Sequence, residues 1–447
     1  MRVLLISTYE LGHQPIHVAS PAAALRAAGH EVRALDLSVQ PFQAEVVDWA
    51  EAVGLSVPMH TAMRLALHTA AEVRRRQPDL PLCFYGLYAP VSREETVGRL
   101  ADRVIAGEYE PGLVAWVDGL AAGARPGGVL VHLGRGRERF HTPARDLLPP
   151  LDRYARLAVG GEERLVGAVE ATHGCRYSCR HCPVPTVYEG AFRVVGEQVV
   201  LADIAQLVGA GARHITFADP DFLNGPAHAL RVVRALRRRW PELTFDCTVK
   251  VEHILRYAAM WPELAGSGCL FAVTAVECLN DRILALLDKG HTAADAARAV
   301  DVLRAHGIEP RPSFMPFTPW STLDDVVDIL DFVVIYDLVG NVDPVQYTIR
   351  LLLPQGSLLL DRPELAPYLG SYDAQRLSFQ WQAADPQVDA LQARLVELAA
   401  AGVGDPPGAV FLRVSAAVRE AAKRGPEPAA LAGSSRPRPR LTEPWFC

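Results

Sequence analysis

The 447-residue chain has no apolar run near the roughly 20 consecutive residues that a bilayer-spanning helix takes, so no helical membrane span is expected. Its opening residues, Met1-Arg2-Val3-Leu4-Leu5-Ile6, read as a short buried strand. They lack the longer apolar core and small-residue cleavage site of a signal peptide. Strong charge of one sign is missing as well: a net charge of −6 argues against a general nucleic-acid surface. Cysteine is sparse, and Cys83, Cys247, Cys269, Cys278 and Cys447 stand alone in the sequence. No second cysteine knuckle exists, which removes the usual partner of a structural zinc knuckle. The expected setting is cytoplasmic, with reduced thiols. Half of the residues are apolar, enough for two or three domains with large cores.

The remaining three cysteines sit together in Gly174-Cys175-Arg176-Tyr177-Ser178-Cys179-Arg180-His181-Cys182-Pro183. Iron–sulfur cubanes are normally held by four thiolates. Three local thiols at CxxxCxxC spacing would hold three irons and leave the fourth open to a small molecule. The alternative is a zinc knuckle with His181 or His173 as fourth ligand.

Residues 1 to about 120 alternate short apolar strands (Val3–Ser7, Glu31–Leu35, Ala52–Val57, Leu82–Tyr85, Arg103–Ala106) with helical stretches such as Pro21–Ala28 and Ala62–Gln77. This predicts an α/β fold with a doubly wound parallel sheet, whose ligands bind beyond the carboxyl ends of the strands. The loops there are Tyr9 to Pro15, Pro58 to Thr61, Tyr85 to Tyr88 and Gly107 to Glu110. They suggest a flat ligand laid across the edge; ordinary capped turns are the plain alternative. Residues 121–160 read as a connector, rich in glycine and broken by Pro149-Pro150.

From 161 to 360 a second βα series is expected. Its strands are Leu165–Glu170, His214–Ala218, Thr244–Val251, Cys269–Val276, Pro312–Pro316 and Val345–Leu352, with helices over Gly196–Ala210, Ala227–Trp240 and Ala293–His306. Six repeats predict a partial (β/α)6 barrel, with chemistry at its C-terminal face. Residues 361–420 read as helical, and Arg424–Arg440 as a flexible linker rich in Pro, Ala, Gly and Arg.

The cysteine loop resembles that of the radical S-adenosylmethionine (SAM) superfamily. The resemblance implies a [4Fe-4S] cluster on Cys175, Cys179 and Cys182, whose open iron binds SAM and whose electron cleaves it to a 5′-deoxyadenosyl radical. Asp219-Pro220-Asp221 stands where many members have Gly-Gly-Glu, and Val276-Glu277-Cys278 and Lys289-Gly290-His291-Thr292 resemble superfamily patterns with Cys278 in place of Ser. By that resemblance Asp219, Asp221, Lys250, Glu252, Glu277, Gln346 and Arg350 are SAM candidates. Each has a plainer reading where the residues allow one. Asp221 can cap a helix, Lys250 and Glu252 can form an ion pair on one strand face, and Thr322 or Ser321 can cap the next helix rather than frame adenine. Arg350 can bind SAM or a substrate carboxylate, or pair with an Asp.

The first domain resembles the cobalamin-binding domain found ahead of many radical SAM cores, its Gly107-Glu108-Tyr109-Glu110 matching a recurring Gly-Glu-x-Glu element. That implies cobalamin near His13, Gln14, His60, Tyr85, Gly86, Gly107 and Glu108. His13 has Leu11 rather than Asp two residues earlier, so the Asp-x-His-x-x-Gly pattern is absent and a histidine lower ligand is not expected. The implied activity is a radical SAM reaction, with methyl transfer to an unactivated carbon as one outcome and rearrangement as another. A non-catalytic cluster or cobalamin sensor is a third reading. Implied partners are a one-electron donor such as flavodoxin or ferredoxin and a small-molecule or peptide substrate, with no nucleic acid and no membrane. The ending Glu443-Pro444-Trp445-Phe446-Cys447 resembles a group with Cys-Cys-Ala-Glu-Pro or Cys-selenocysteine-Ala-Glu-Pro tails, which would place a selenocysteine codon after Cys447; a genuine terminus with an exposed thiol is the plain alternative.

Overall fold

A computed structural model describes residues 1–133, 140–425 and 438–443. The first sheet has six strands: β1 (Arg2–Ser7), β2 (Glu31–Asp36), β3 (Ala52–Ser56), β4 (Leu82–Tyr85), β5 (Arg103–Gly107) and β6 (Gly128–His132), in the order β2-β1-β3-β4-β5-β6. All neighbours run parallel. Every residue of β3 and β4 is buried, as expected where helices cover both faces. Helices Ile16–Ala27 and Tyr109–Ala121 supply Val18, Leu25, Leu113 and Trp116 to one core. Helix His60–Arg76 supplies Met63, Ala66, Ala70 and Val73 to the other. Strand order reverses between β1 and β3, so the crevice of this sheet opens there. Strand β6 comes from the stretch read as a connector: its apolar run, Val129–Val131, is short and follows Gly127-Gly128.

The second sheet has seven strands. An antiparallel pair, β7 (Arg156–Val159) and β8 (Glu162–Val169), leads into the short hairpin β9 (Thr172–Gly174) and β10 (Phe192–Val194) that carries the cysteine loop. Then β11 (His214–Phe217), β12 (Thr244–Thr248), β13 (Cys269–Glu277) and β14 (Glu309–Phe314) follow in parallel from β8, forming a curled partial barrel. Residues alternate as a barrel wall requires: Ile215, Phe217, Phe245 and Cys247 join the helical core, whereas Val166, Phe271 and Val273 pack on the other face.

Three expectations are corrected. The sixth strand, Val345–Leu352, is instead a 3-10 turn over Pro344–Thr348, and only Phe317 and Arg350 form a bridge at that position. Pro344 fixes a turn where the apolar pattern alone suggested extension. The stretch read as helical from 361 begins with a hairpin, β15 (Leu369–Asp373) and β16 (Ser378–Trp381); helices Pro386–Ala401 and Pro407–Ala421 follow. Finally, the far end of the predicted flexible linker is ordered: β17 (Arg440–Leu441) pairs antiparallel with β7. The selenocysteine expectation at Cys447 lies outside the described residues. Among the described residues no helix is long and apolar enough to cross a membrane.

The two sheets are joined by buried polar contacts. Arg145 grips Asp203 with two bonds of 2.9 and 2.8 Å, donates to Ala168 O at 2.6 Å and reaches Gln14. Tyr154 donates to Asp36 at 2.8 Å. Arg145 and Asp203 side chains are only 6% and 3% exposed, so removing one partner strands a buried charge. Arg145→Ala should cost about 3–5 kcal/mol, and Arg145→Met combined with Asp203→Leu should recover most of it. Urea midpoints of the three chains check this; equal loss in the single and double variants would refute it.

Candidate active site between the two sheets

Pro183 opens a short helix, Val184–Tyr188, directly after Cys182. That helix docks on the first sheet: Tyr188 OH donates to Gly107 O at 3.1 Å, and Val184, Val187 and Tyr188 pack with Ala106. On the other side Arg180 holds the loop to the barrel, its N–H donating to Leu287 O at 2.9 Å and its guanidinium to Leu286 O at 2.8 Å. All three cysteines are free thiols. Cys175 and Cys182 pack against the same apolar cluster as Tyr188. Burial pushes the Cys182 thiol up to about 12 and raises that of Cys175. Such thiols need a bound cation to become thiolates. The zinc alternative finds no support in geometry. His181 faces Glu277 at 3.1 Å, and His173 bridges Glu108 and Glu170 at 3.2 and 3.3 Å. Among the described residues no three His, Cys, Asp or Glu converge as a single-ion site. Three unpaired thiols on one loop, one buried and two half-buried, are a donor set that fits a three-cysteine cluster.

Between the loop and the first sheet lies a cleft of about 900 Å³, counted with its open mouth. One wall is Glu10, Leu11 and His13 from the loop after β1, Pro58 and Met59 after β3, Leu87 after β4 and Tyr109 after β5. The other is Ala168, Glu170, Ala218 and Pro220 at the barrel's strand ends, with His173, Val184 and Tyr188. The four loops expected to share an edge therefore do so.

The cobalamin candidates spread across that edge. His13 lines the cleft, and burial pushes its imidazole down to about 4. Gln14 turns away, donating to Pro149 O at 2.9 Å. His60 bonds Arg376 O at 2.7 Å, and Tyr85 is buried in the sheet with its hydroxyl on His17 O at 2.9 Å. Gly86 donates to Ile105 O at 3.0 Å. Gly107 has φ +75, and a Cβ there would lie 2.1 Å from His132 O, so only glycine lets the chain turn this close to β6. Glu108 is buried against His173 and Arg193. Sequence reasoning missed Glu10, His17, Tyr109 and Glu170 as site residues; the last is signalled by its place at the end of β8, just before the cysteines.

The SAM candidates divide by what they already bind. Glu277 ends β13 at φ +67, a strained conformation for a non-glycine residue. Burial would raise its carboxyl, but Lys289 at 2.9 Å and His181 more than offset this and hold it well below the usual range. Asp219 accepts from Ala171 N at 3.2 Å and from the Thr172 hydroxyl, and burial pushes it up to about 7. Lys250 and Glu252 pair at 3.6 Å at the start of helix Val251–Arg256, not on a strand, and Lys250 lies 3.5 Å over the Tyr177 ring. Asp221 caps the turn Phe222–Asn224 and contacts His253 at 2.8 Å. Gln346 accepts from Phe314 N at 3.0 Å. Arg350 binds Asp389 and stacks 3.4 Å from the Trp381 ring centre. These last three are committed to structural contacts. Thr322 forms a capping box with Asp325, the plainer of its two readings.

Residues 2–117 match the B12 binding domain model, and residues 169–333 match the radical SAM superfamily model. The chain thus carries a B12-binding domain followed by a radical SAM domain. It is 23% identical to the hopanoid C-3 methylase of Methylococcus capsulatus over 312 residues, covering 66% of this chain and 59% of that enzyme. Its fold matches the cobalamin-dependent S-adenosylmethionine radical enzyme OxsB with aqua-cobalamin bound, at TM-score 0.71 and 16% identity over 90% of this chain and 67% of that one. It also matches the radical S-adenosylmethionine methyltransferase TsrM from Kitasatospora setae, at TM-score 0.64 and 17% identity over 80% of this chain and 74% of that one.

Two outcomes test the site. Cys179→Ala should abolish the cluster's visible absorbance and most bound iron; full iron retention would sink the ligand assignment. Glu10 tests the cleft's electrostatics. Burial, the dominant cause, pushes its carboxyl up from 4.5 to about 7. A raised folded pKa means stability present below the unfolded value and lost as pH rises through the folded one. Wild-type stability should therefore contain a Glu10-dependent fall between about pH 4.5 and 7. Glu10→Gln, which cannot ionise, should remove that part of the slope in melting-temperature profiles; an unchanged slope would refute it.

Proposed function

We propose that the chain is a cobalamin-dependent radical SAM enzyme that methylates an unactivated carbon. The observation that carries this reading is the shared cleft: the cysteine loop is clamped between the ligand edge of the B12-binding domain and the mouth of the radical SAM barrel. Cys175, Cys179 and Cys182 would hold a [4Fe-4S] cluster. Glu277, Asp219, Lys250 and Glu252 lie on the barrel side for SAM, where a buried carboxylate favours a cationic ammonium. Leu11, His13, Met59, Leu87 and Glu108 lie on the cobalamin side. When bound, the cluster with SAM supplies one-electron radical chemistry and cobalamin supplies a transferable methyl group. The protein's own part is to hold these groups over one apolar cleft, where Leu87, Val184 and Met59 exclude water. A one-electron donor such as flavodoxin or ferredoxin must feed the cluster, and a small molecule or peptide would be the substrate. The likeness to a methylase and a methyltransferase supports methyl transfer over rearrangement.

The test is anaerobic reconstitution with cobalamin, SAM and a reductant, followed by mass spectrometry of the SAM products. Both S-adenosylhomocysteine and 5′-deoxyadenosine are expected. 5′-Deoxyadenosine alone would keep the radical reading and remove methyl transfer.

A further inference from the structure

Residues 438–443 touch both edges of the seven-stranded sheet. On one edge, Arg440 and Leu441 pair with Ala158 and Leu157 of β7. Thr442 continues this pairing: its N–H donates to Arg156 O at 2.8 Å and its hydroxyl accepts from Arg156 N at 2.8 Å. Leu441 packs with Leu157, Val166, Phe271 and Val273 on the face away from the helices. On the opposite edge, Arg438 pairs with Glu309 at the start of β14 at 2.6 Å and with Asp337 at 2.5 Å. Arg311 of β14 donates to Pro439 O at 3.2 Å. The segment thus spans the gap between β7 and β14 that the partial barrel leaves open.

Glu443 then meets the first domain. Tyr9 OH donates to Glu443 Oε1 at 3.2 Å. A Cβ on Gly12 would lie 2.6 Å from Glu443 Cγ, and Gly12 has φ +70. Gly12 O accepts from Ala155 N at 2.9 Å, one residue before β7. Leu11, beside it, is a non-glycine residue at φ +52, a conformation that persists only where its surroundings enforce it. Glu10, Leu11 and His13 of this loop line the cleft.

We infer that residues 438–443 form a strap that closes the barrel and holds the cleft-facing loop 9–13 in its cobalamin-binding form, with Glu443 as a positioning residue. This rests on the reading of the cleft as the cobalamin site. At Gly12 the loop is held from two sides, by Ala155 N on its carbonyl and by the Glu443 side chain packed where a Cβ would stand. A loop pre-set before binding spares the cofactor the cost of ordering it.

Full-length chains with Glu443→Ala, Glu443→Gln and Arg438→Ala test this by two readouts. One is hydroxocobalamin titration followed by absorbance; the other is hydrogen exchange of residues 9–15 without cofactor. Glu443→Ala should weaken cobalamin binding roughly tenfold and speed exchange in the loop, with bound iron unchanged. Glu443→Gln, whose amide oxygen still accepts from Tyr9, should behave as wild type. Arg438→Ala should shift both readouts in the same direction as Glu443→Ala. A lower melting temperature in Glu443→Ala with both readouts unmoved would overturn the inference, as would failure of Glu443→Gln to rescue. A wild-type chain that takes up no cobalamin would overturn the cofactor reading, and loop exchange alone would then decide the strap.

Discussion

The arrangement depends on one buried cation. Arg145 lies between the domains, and its guanidinium cannot shed its charge inside a protein. It spends its donors on the Asp203 carboxylate, on Ala168 O of β8 and on Gln14 of the loop after β1. Asp203 sits on the helix after β10, Glu197–Gly209. Ala168 lines the cleft from the barrel side, and Gln14 adjoins His13, which lines it from the other. One charge therefore ties both walls together, alongside the Tyr154–Asp36 and Tyr188–Gly107 bonds. Its penalty for leaving water is met only while all three partners keep their places, which makes the domain arrangement specific.

The cleft's acids show how neighbours divide a shared environment. Glu170 and Glu10 are both buried, and burial pushes both carboxyls up. Glu170 has two imidazoles beside it, His17 and His173, and ends below its usual range. Glu10 has His17 but also feels the Glu170 charge, and ends raised to about 7. His17 and His173 together outweigh burial at Glu170, whereas at Glu10 burial outweighs His17, so the two carboxyls part. Glu10 Oε2, without a hydrogen-bond partner among the described residues, is the part of this network left to face a ligand.

How much of this was legible in the sequence depended on the range of the interaction. Strands β1, β3, β4 and β5 were readable because a doubly buried strand is a continuous apolar run, the edge strand β2 because its apolar residues alternate with Glu31 and Arg33, and the cysteine loop because its ligands are local. The edge strand β6 was not, since its apolar run Val129–Val131 is only three residues long and follows Gly127-Gly128. Val345–Leu352 misled because the pattern cannot register the turn that Pro344 begins. The roles of Gln346 and Arg350 depend on Phe314, Asp389 and Trp381, partners far off in sequence that no motif names. The order in residues 438–443 was hidden for the same reason: its ion pairs are with Glu309 and Asp337.

The cysteine loop combines local ligands with distant supports, and this bears on how a cluster would be taken up. Its shape has protein supports on both sides. Arg180 ties it to Leu286 and Leu287, Ser178 bonds Asp288 at 2.9 Å, and Tyr188 anchors its far end on Gly107. In small metal-dependent folds the metal supplies the folding energy. Here packing and hydrogen bonds from two domains also hold the loop, so a cluster would not be its only support. What the protein withholds is the thiolate: burial keeps the Cys175 and Cys182 thiols protonated. Cluster uptake must therefore release protons, and Lys289, close enough to interact with Cys179 and Cys182, favours the thiolates that result. Position thus rests on contacts from both domains, while thiolate charge is the part that burial opposes and a cluster would favour.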